Sequence, residues 1–337
     1  MKVYEYPQLG LEHLVLRERS MPTPAPQEVL VRIHAVSLNF RDLLFARGLY
    51  NPRPQLPAIP CSDAAGEVVA VGSAVTRWSV GDRVCPLFMP GWTGGPVSPA
   101  KTATALGGGG ADGVLREYAA FGEEALVSIP QHLSFEEAAT LPCAGVTAWH
   151  ALVSAGRIQG GHTVLLLGTG GVSIFALQIA KLHGARVIAT SSSDEKLARA
   201  RELGADQLIN YKASPDWDRE VLRLTGGVGV DHVVEVGGAG TLQRSVNAAR
   251  MGGHVAVIGV LAQGGGLDPL KVLMKSLRLH GIYVGSRQMF EELNSALTAT
   301  GLRPVIDRTF AFEDARAALE YMETGSHFGK IVIRVGS

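Results

Sequence analysis

The stretch T-V-L-L-L-G-T-G-G-V-S, residues 163–173, indicates the fold of a large part of this chain. An apolar run of strand length ends in glycines and continues into a helical pattern, which predicts a strand, a tight turn and a helix start. Gly168 and Gly170 take the first two positions of a G-x-G-x-x-G pattern, and Ser173 keeps the third position small. Such a turn lets backbone and a helix N-terminus approach a pyrophosphate. A plain strand-to-helix corner can have the same sequence, so both interpretations stay open on this stretch alone.

The residues after this turn alternate between helix and strand patterns. The predicted helices are 172–183, 194–203 and 242–250, and the further predicted strands are 186–190, 207–210, 232–236, 255–259 and 279–285. Short apolar strands separated mostly by helices predict a doubly wound parallel sheet in the order 3-2-1-4-5-6. A ligand is then expected at the carboxyl ends of the strands, where the strand order reverses.

The first third of the chain is predicted to be a small β-rich module. Its predicted strands are 28–39, 66–71, 83–87 and 115–121. Residues 90–113, rich in glycine, proline, threonine and alanine, predict a surface excursion, either a mobile loop or a lid. A capping-box pattern at Ser134 and Glu137 starts a helical stretch. Two helical stretches at 290–299 and 313–324 and a closing strand at 330–335 are expected to return to this module.

The composition narrows the class of protein. A chain of 337 residues predicts two domains, and 46% hydrophobic content is ordinary for a globular protein. The 31 basic and 31 acidic residues balance, which gives no indication of a nucleic-acid partner or an anionic membrane. No apolar run reaches membrane length, the N-terminus has no signal-peptide core, and the three separated cysteines predict no disulfide framework. We expect a cytoplasmic enzyme or binding protein with a small-molecule substrate.

Five segments carry a family resemblance: G-E-V-V-A-V-G-S-A-V-T-R-W-S-V-G-D-R-V (66–84), L-P-C-A-G-V-T-A-W (141–149), the Gly168 turn, R-E-L-G-A-D (201–206) and H-F-G-K-I-V-I (327–333). In this order and spacing they resemble the medium-chain dehydrogenase/reductase superfamily. The resemblance implies an α/β fold. A Rossmann doubly wound parallel sheet, residues 145–286, would be inserted in a GroES-like β-barrel catalytic domain made of residues 1–144 and 287–337.

The zinc-binding positions of that superfamily are changed in this chain. The resemblance aligns the three ligands of the catalytic zinc with Asn39, Ser62 and Cys143, a poor set because zinc favours several Cys, His or carboxylate ligands. Asp63 could offer one oxygen. The four cysteines of the structural zinc lobe are missing as well. We therefore expect no zinc, and the closer resemblance is to the zinc-independent branch of quinone-oxidoreductase-like and alcohol-dehydrogenase-like enzymes.

Two side chains are the candidate catalytic groups implied by this resemblance. Asn39, in S-L-N-F-R-D-L, would lie near the nicotinamide, where its carboxamide could hydrogen-bond the cofactor or a substrate carbonyl. The alternative is that Asn39 only satisfies local backbone in a turn, and Asp42 is expected to be structural. Tyr50 corresponds to a tyrosine proposed as an acid or orienting group, since a phenol can donate a proton to a developing alkoxide or enolate. It could also merely cover the site.

The choice of cofactor depends on the end of the second strand of the sheet. An NAD-binding fold usually has an acidic residue there, whereas this chain has T-S-S-S, with Ser191 at the matching position. Lys196 and Tyr211 match residues that contact the 2′-phosphate in similar reductases, so NADP(H) is favoured over NAD(H). Against this choice, Asp194 nearby could bind a ribose, and Lys196 at a helix start could be only a solvated charge. The other positions along the dinucleotide implied by the resemblance are Asn39, Thr147, Gly168, Gly170, Gly171, Val172, Gly237, Gly259, Val260, Ser286 and Lys330.

Two functions remain open on the sequence. One is a zinc-independent NADP(H)-dependent oxidoreductase that transfers hydride to or from a small carbonyl, quinone or activated alkene. The other is an NADPH-binding protein with a structural or regulatory role and little turnover. Asn39 and Tyr50 together favour the enzyme. A homodimer is expected through the strand at 279–285, because an exposed sheet edge invites pairing with its symmetry mate.

Overall fold

The computed structural model of this protein describes residues 1–51, 53–259 and 265–336. The chain divides into two compact units, one of Met1–Val146 with Val284–Ser337 and the other of Thr147–Tyr283. The predicted domain boundaries, 144/145 and 286/287, lie within about three residues of these divisions. In the described part of the chain, no helix is both long enough and apolar enough to span a bilayer.

The first unit begins with short strands connected by turns. The strands are β1 (Lys2–Glu5), β2 (Val15–Glu18), β3 (Glu28–Ser37), β4 (Asp63–Val71), β5 (Arg83–Pro86), β6 (Tyr118–Gly122) and β7 (Leu126–Ser128). The helices are α1 (Phe40–Ala46), α2 (Pro99–Thr102) and α3 (Phe135–Ala138), followed by a π-helical turn at Leu141–Gly145. Helix α4 (Val146–Trp149) begins at the last residue of this segment and continues, with the π-helical turn His150–Ser154, into the second unit. The predicted capping box is confirmed at α3. The Ser134 hydroxyl accepts a hydrogen bond from the Glu137 N–H, and the Glu137 carboxylate accepts one from the Ser134 N–H.

The second unit is a parallel sheet with helices between its strands. In chain order its elements are β8 (Thr163–Leu166), α5 (Gly171–Leu182), β9 (Arg186–Ser191), α6 (Asp194–Glu202), β10 (Gln207–Asn210), α7 (Trp217–Leu224), β11 (Val230–Glu235), α8 (Ala239–Ala248), β12 (Ala249–Val257), α9 (Pro269–Met274) and β13 (Arg278–Gly281). The strands pair in the order β10-β9-β8-β11-β12-β13, so the predicted order 3-2-1-4-5-6 is confirmed. Its central strands are apolar runs because helices of a doubly wound fold cover both faces.

Several elements of this unit differ from the sequence prediction. Helices α7 and α9 were not predicted, and β12 begins at Ala249 rather than at residue 255. In α7 the apolar side chains of Trp217 and Val221, one turn apart, are buried. Strand β13 ends at Gly281 rather than at residue 285, and Val284 has a positive φ of 54° that ends the extended run.

The C-terminal segment returns to the first unit, as predicted. Its elements are α10 (Arg287–Thr300), β14 (Ile306–Ala311), α11 (Ala315–Glu323) and β15 (Lys330–Arg334). Strand β15 pairs antiparallel with β3, with Val332 opposite Ser37, and parallel with β14. The sheet order is β14-β15-β3-β4-β5-β7, and β6 also pairs with β3. Residues from both chain segments, such as Phe45 and Phe312, share one apolar core.

The glycine-rich segment between α2 and β6 differs from the predicted surface excursion at 90–113. Residues 106–109 are buried rather than part of a surface excursion. Gly107 has a φ of 64°, and a Cβ there would lie 2.4 Å from the carbonyl oxygen of Cys61. A Cβ at Gly108 would lie 2.8 Å from the Arg41 guanidinium. These glycines therefore permit close packing of backbone, which composition alone does not distinguish from mobility.

Candidate active site

Asn39 lies where β3 passes into α1, in the first unit. It occupies the capping position of α1, with extended backbone angles, in a capping-box arrangement with Asp42. Its Oδ1 also accepts a hydrogen bond from the Lys330 ammonium at 2.6 Å. The side chain of Asn39 thus makes a contact beyond the local turn that the sequence left open.

Lys330, the first residue of β15, is buried with only 3% of its surface exposed. Its Nζ donates a second hydrogen bond, of 2.5 Å, to the carbonyl oxygen of Leu38. The sequence resemblance placed Lys330 along the dinucleotide. The structure places its ammonium against Leu38 and Asn39, two residues that immediately follow β3.

The Asn39 amide nitrogen is a buried donor. An ammonium group only donates hydrogen bonds, so Oδ1 must face Lys330 and Nδ2 must face away from it. Burial raises the pKa of Asp63, and the Lys330 charge and nearby donors, the Asn39 amide among them, oppose that rise. Among the described residues, however, no acceptor lies at a distance and angle that would give Nδ2 a hydrogen bond. Leaving such a donor unsatisfied costs about 1–3 kcal/mol, which an oxygen atom of a ligand could recover.

Two buried carboxylates surround this pair. Asp63, the first residue of β4, accepts hydrogen bonds from the Ser62 hydroxyl at 2.7 Å and from the Cys143 N–H at 2.9 Å. Asp42, in the first turn of α1, accepts one from the Asn39 N–H at 2.8 Å. Burial raises the pKa of Asp42 to about 6, against the effect of the neighbouring Arg41. Asp42 therefore fixes the backbone that carries Asn39, the structural role expected from the sequence.

Tyr50 is held near α1 by a cation–π contact. The Arg41 guanidinium carbon lies 4.4 Å from the centre of the Tyr50 ring and 4.5 Å from that of Phe88. Arg41 also donates a hydrogen bond of 2.6 Å to the carbonyl oxygen of Leu106. Helix α1 thus carries Asn39 at its start and, through Arg41, fixes the ring of Tyr50. This role of Arg41 was not predicted from the sequence.

The groups at the zinc-ligand positions do not suit zinc. Oδ1 of Asn39 is occupied by Lys330, and the Ser62 hydroxyl donates to Asp63. Burial and the Asp63 charge raise the pKa of the Cys143 thiol to about 12, so it is not a thiolate at neutral pH. The described residues contain no cluster of three or more His, Cys, Asp or Glu side chains able to hold a metal. The ammonium of Lys330 would in addition repel a cation.

The turn between β8 and α5, in the second unit, has the form of a phosphate site. Gly168 has a φ of 72°, and a Cβ at Gly168 or at Gly170 would meet no atom within 4 Å, so both face open space. Helix α5 has 12 residues and no side chain caps its N-terminus, where Gly171 and Val172 begin the first turn. Uncapped N–H groups and the helix dipole favour an anion there. Ser173 donates to the Leu167 carbonyl at 2.8 Å and closes the corner.

The equivalent corner between β11 and α8 differs, because it contains its own carboxylate. Glu235, fully buried at the end of β11, accepts hydrogen bonds from the N–H groups of Gly237 and Gly238 at 2.8 and 2.9 Å. The same oxygen accepts from the Thr241 hydroxyl at 2.6 Å, and the other oxygen accepts from Ser245. An external anion is therefore favoured at α5 and not at α8. The N–H of Gly237 is engaged by Glu235, which the sequence analysis missed.

The predicted 2′-phosphate residues lie together where β9 and β10 end. The Ser191 hydroxyl is buried and accepts a hydrogen bond from the Ser193 N–H at 3.2 Å. Tyr211 is exposed, and its N–H donates to the Ser191 carbonyl oxygen at 3.0 Å. The backbone N–H of Lys196 donates to the Ser193 hydroxyl at the start of α6. Asp194, at the same corner, accepts from a neighbouring asparagine amide at 2.7 Å.

Three further predicted positions lie among the described residues, and a fourth does not. Thr147 and Ser286 are both buried, and the Ser286 hydroxyl caps helix α10. Gly259 is required by packing, since a Cβ there would lie 1.8 Å from the carbonyl oxygen of Val236. Val260 lies outside the described residues.

Comparison with known proteins identifies the family. Residues 25–131 match the alcohol dehydrogenase GroES-like domain, and residues 171–299 match the zinc-binding dehydrogenase family. A zinc-type alcohol dehydrogenase-like protein of Schizosaccharomyces pombe is 42% identical over 97% of this chain and 96% of its own length. The chain belongs to the medium-chain dehydrogenase/reductase superfamily.

Solved structures refine the position of this superfamily member. The quinone oxidoreductase of Escherichia coli, crystallised as a complex with NADPH, is 26% identical, with a TM-score of 0.84 over 99% of this chain and all of its own. A structure described as an NAD-dependent alcohol dehydrogenase is 35% identical, with a TM-score of 0.90 over both whole chains. The protein is thus an oxidoreductase-family member of the quinone-oxidoreductase-like branch, and the predicted fold class is confirmed.

Proposed function

We propose that this protein is a zinc-independent, NADPH-dependent oxidoreductase that transfers hydride to or from a small carbonyl, quinone or activated alkene. The observation that carries the proposal is the buried Asn39 amide, whose oxygen is held by Lys330 and whose nitrogen has no acceptor in the described residues. A donor placed in this way suits an oxygen atom that gains negative charge during a reduction. Membership of an oxidoreductase superfamily supports redox chemistry over simple binding.

The second unit offers groups for a dinucleotide. The backbone at Gly168 and Gly170 and the first N–H groups of α5 would hold the pyrophosphate. Bound NADP(H) would supply the hydride donor or acceptor, which no side chain of the protein can provide. Lys196 and Tyr211 would contact the 2′-phosphate.

The preference for NADPH over NADH rests on charge at the β9 end. Ser191 occupies the position at which an acidic residue would bind a ribose hydroxyl. The Asp194 carboxylate already accepts a hydrogen bond from the Asn210 amide. No carboxylate at position 191 therefore repels a 2′-phosphate. The two solved relatives differ, since one is described with NADPH and the other as NAD-dependent. Comparing NADPH and NADH binding in Lys196→Ala tests the preference.

The residues of the first unit supply the remaining chemistry in this proposal. The Asn39 N–H would donate to the substrate oxygen, and the adjacent Lys330 charge would strengthen that donor by polarising the amide. Asn39 is only 9% exposed, so the hydrogen bond would act at a low local dielectric. Tyr50 would donate the proton that a reduced carbonyl requires.

The test is steady-state oxidation of NADPH with a panel of quinones, enones and aldehydes, using Asn39→Ala as the paired variant. We expect turnover with at least one class and a large loss in the variant. Tight NADPH binding with no turnover on any class would instead support the second function, a nucleotide-binding protein with a structural or regulatory role.

The assembly we propose is a homodimer formed through the edge of the parallel sheet. In the described part of the chain, β13 pairs only with β12, so one side of β13 offers backbone hydrogen-bonding groups. Helix α9, which precedes β13, exposes Leu270, Leu273 and Met274 to the extent of 60, 71 and 67%. An edge strand beside an apolar patch is typical of a two-fold interface.

A further inference from the structure

We infer that Lys330 is a positioning residue for the proposed reaction. Its buried ammonium fixes the Asn39 amide in the single orientation that presents N–H donors, and not the amide oxygen, to an oxygen atom of the substrate or of the nicotinamide carboxamide. The inference rests on the proposed function, and it concerns how the donor is set rather than whether hydride transfer occurs.

The orientation follows from the chemistry of the two groups. Asparagine can rotate its amide by half a turn with little change in shape, so packing alone selects weakly between the two orientations. Lys330 removes that ambiguity, because its ammonium has no acceptor and lies 2.6 Å from the amide oxygen. Turning the amide would place an NH₂ group against an NH₃⁺ group and lose a charge-assisted hydrogen bond.

Burying the Lys330 ammonium costs free energy, and the formation of β15 does not require a lysine at this position. The backbone N–H of Lys330 already bonds to the Val305 carbonyl at 3.1 Å, so β15 could begin with an apolar side chain. Burying an ammonium is unfavourable unless it is paired. The buried carboxylates of Asp42 and Asp63 act on the same cluster, and so does the Arg41 guanidinium. The Lys330 ammonium is therefore buried among charges of both signs around one amide.

Lys275 provides a matched comparison within the chain. Its Nζ donates to three backbone carbonyl oxygens, of Val246, Asn247 and Ala249, at 2.7–3.1 Å. Lys275 thus has a purely structural pattern of contacts, whereas Lys330 directs one of its two hydrogen bonds at a functional side chain. Lys275→Met is the control for the general loss of a carbonyl-bound lysine.

The kinetic test compares Lys330→Met, Asn39→Asp, Asn39→Ala and the double variant Lys330→Met/Asn39→Ala on a substrate that the wild type reduces. We expect Lys330→Met to lower kcat by about 10²-fold, as for loss of one preorganised donor, with NADPH affinity changed by no more than a few-fold. Asn39→Asp keeps an acceptor for Lys330 but removes both N–H donors, so it should lower kcat by a similar factor. The double variant should be no slower than Asn39→Ala to within about twofold, because Lys330 acts through Asn39.

A second readout needs neither cofactor nor substrate. In ¹⁵N-labelled protein the side-chain NH₂ signal of Asn39 is identified by its disappearance in Asn39→Asp. Lys330→Met should shift that signal and speed its amide rotation, while Lys275→Met should leave it unchanged. An unmoved signal would overturn the inference even if the protein had no measurable turnover.

The kinetic outcomes separate this inference from the proposed function. If the wild type reduces no substrate of the panel, the proposed function fails and the NMR comparison alone decides the role of Lys330. If the wild type is active but the two losses multiply in the double variant, or if Lys275→Met lowers kcat as much as Lys330→Met, Lys330 is a structural residue and the inference is wrong.

Discussion

His232 and His254 lie opposite each other on β11 and β12, with ring centroids 5.8 Å apart. The row of imidazoles continues on both sides within the second unit. His162 shares a hydrogen bond of 2.9 Å with His232, and His280 and His150 follow beyond His254 at ring distances of 6.2 and 5.9 Å. Neither ring nitrogen of His254 has a hydrogen-bond partner among the described residues. His232 and His254, both buried on strands of the parallel sheet, are therefore flanked by further imidazoles.

This row predicts that the protein loses stability in mild acid. Burial and the neighbouring histidines lower the pKa of His232 to about 3; burial, Arg278 and the histidines beyond it lower that of His254 to about 4, while Asp231 acts in the opposite direction on His232. In the unfolded chain these histidines bind protons at about pH 6.5, whereas in the folded state they stay neutral down to about pH 4. The free energy of unfolding should fall by about 1.4 kcal/mol per pH unit for each histidine as the pH drops from about 6.5 to about 4.

Urea unfolding measured across that pH range tests this prediction. His254→Leu should reduce the slope by about half, whereas His13→Gln, on a turn of the first unit, should leave it unchanged. A free energy of unfolding that stays level between neutral pH and about pH 5 would contradict the assignment.

Asn39→Ala should lower kcat by roughly 10²–10³-fold and change NADPH affinity by no more than a few-fold, because the donor acts on the charge that develops during reaction. Tyr50→Phe should have a similar effect only if Tyr50 is the proton source. Asn294, whose amide donates to the Ser128 carbonyl at 2.9 Å on the surface, provides the matched control Asn294→Ala. Full turnover in both site variants, with the chemical step limiting the rate, would exclude these catalytic roles.

The purified protein should contain no stoichiometric zinc and should keep its activity in a strong chelator. The reason is the donor set: an amide oxygen held by Lys330, a hydroxyl held by Asp63, and a thiol whose pKa is raised to about 12. Cys143→Ala should accordingly retain turnover. Elemental analysis that finds close to one zinc per chain would refute the prediction.

Lys196→Ala should weaken NADPH binding far more than NADH binding. A charge-assisted contact with the 2′-phosphate is worth about 1.5–3 kcal/mol, or roughly tenfold or more in affinity, and NADH has no such phosphate. Lys181, which pairs with Asp206 at 3.0 Å in the same unit, gives the control Lys181→Ala. Equal weakening of both cofactors by Lys196→Ala would show that the corner does not bind a phosphate.

The sequence predicted the parts of the fold that depend on local patterns. The strand order followed from apolar runs that end in glycine, as at Gly168, because the alternation of strands and helices leaves few parallel topologies. The contact between Lys330 and Asn39 could not be predicted, since the two residues are 291 positions apart and meet only through the pairing of β15 with β3. In K-I-V-I the lysine looks like an ordinary solvated strand start.

Glu235 was missed for a similar reason. An acidic residue at the end of a strand is usually exposed or binds a ligand, and its burial depends on hydroxyl donors of Thr241 and Ser245 that α8 brings to it. The prediction for residues 106–109 was wrong in the opposite direction, since they were expected at the surface and are buried. Glycine permits both flexible loops and close backbone packing. In each case the deciding interaction is tertiary.

The homodimer gives the last prediction. Leu273, the most exposed of the three apolar residues of α9, lies on the short helix that leads into the edge strand β13. A glutamate there would place a charge in the proposed interface, where it would be desolvated without a partner, so Leu273→Glu should dissociate the dimer into folded monomers. Val80→Glu, at an exposed apolar position of the first unit, is the control and should remain dimeric. Light scattering at micromolar concentration measures both, and a wild-type protein that is monomeric there would remove the basis for pairing through β13.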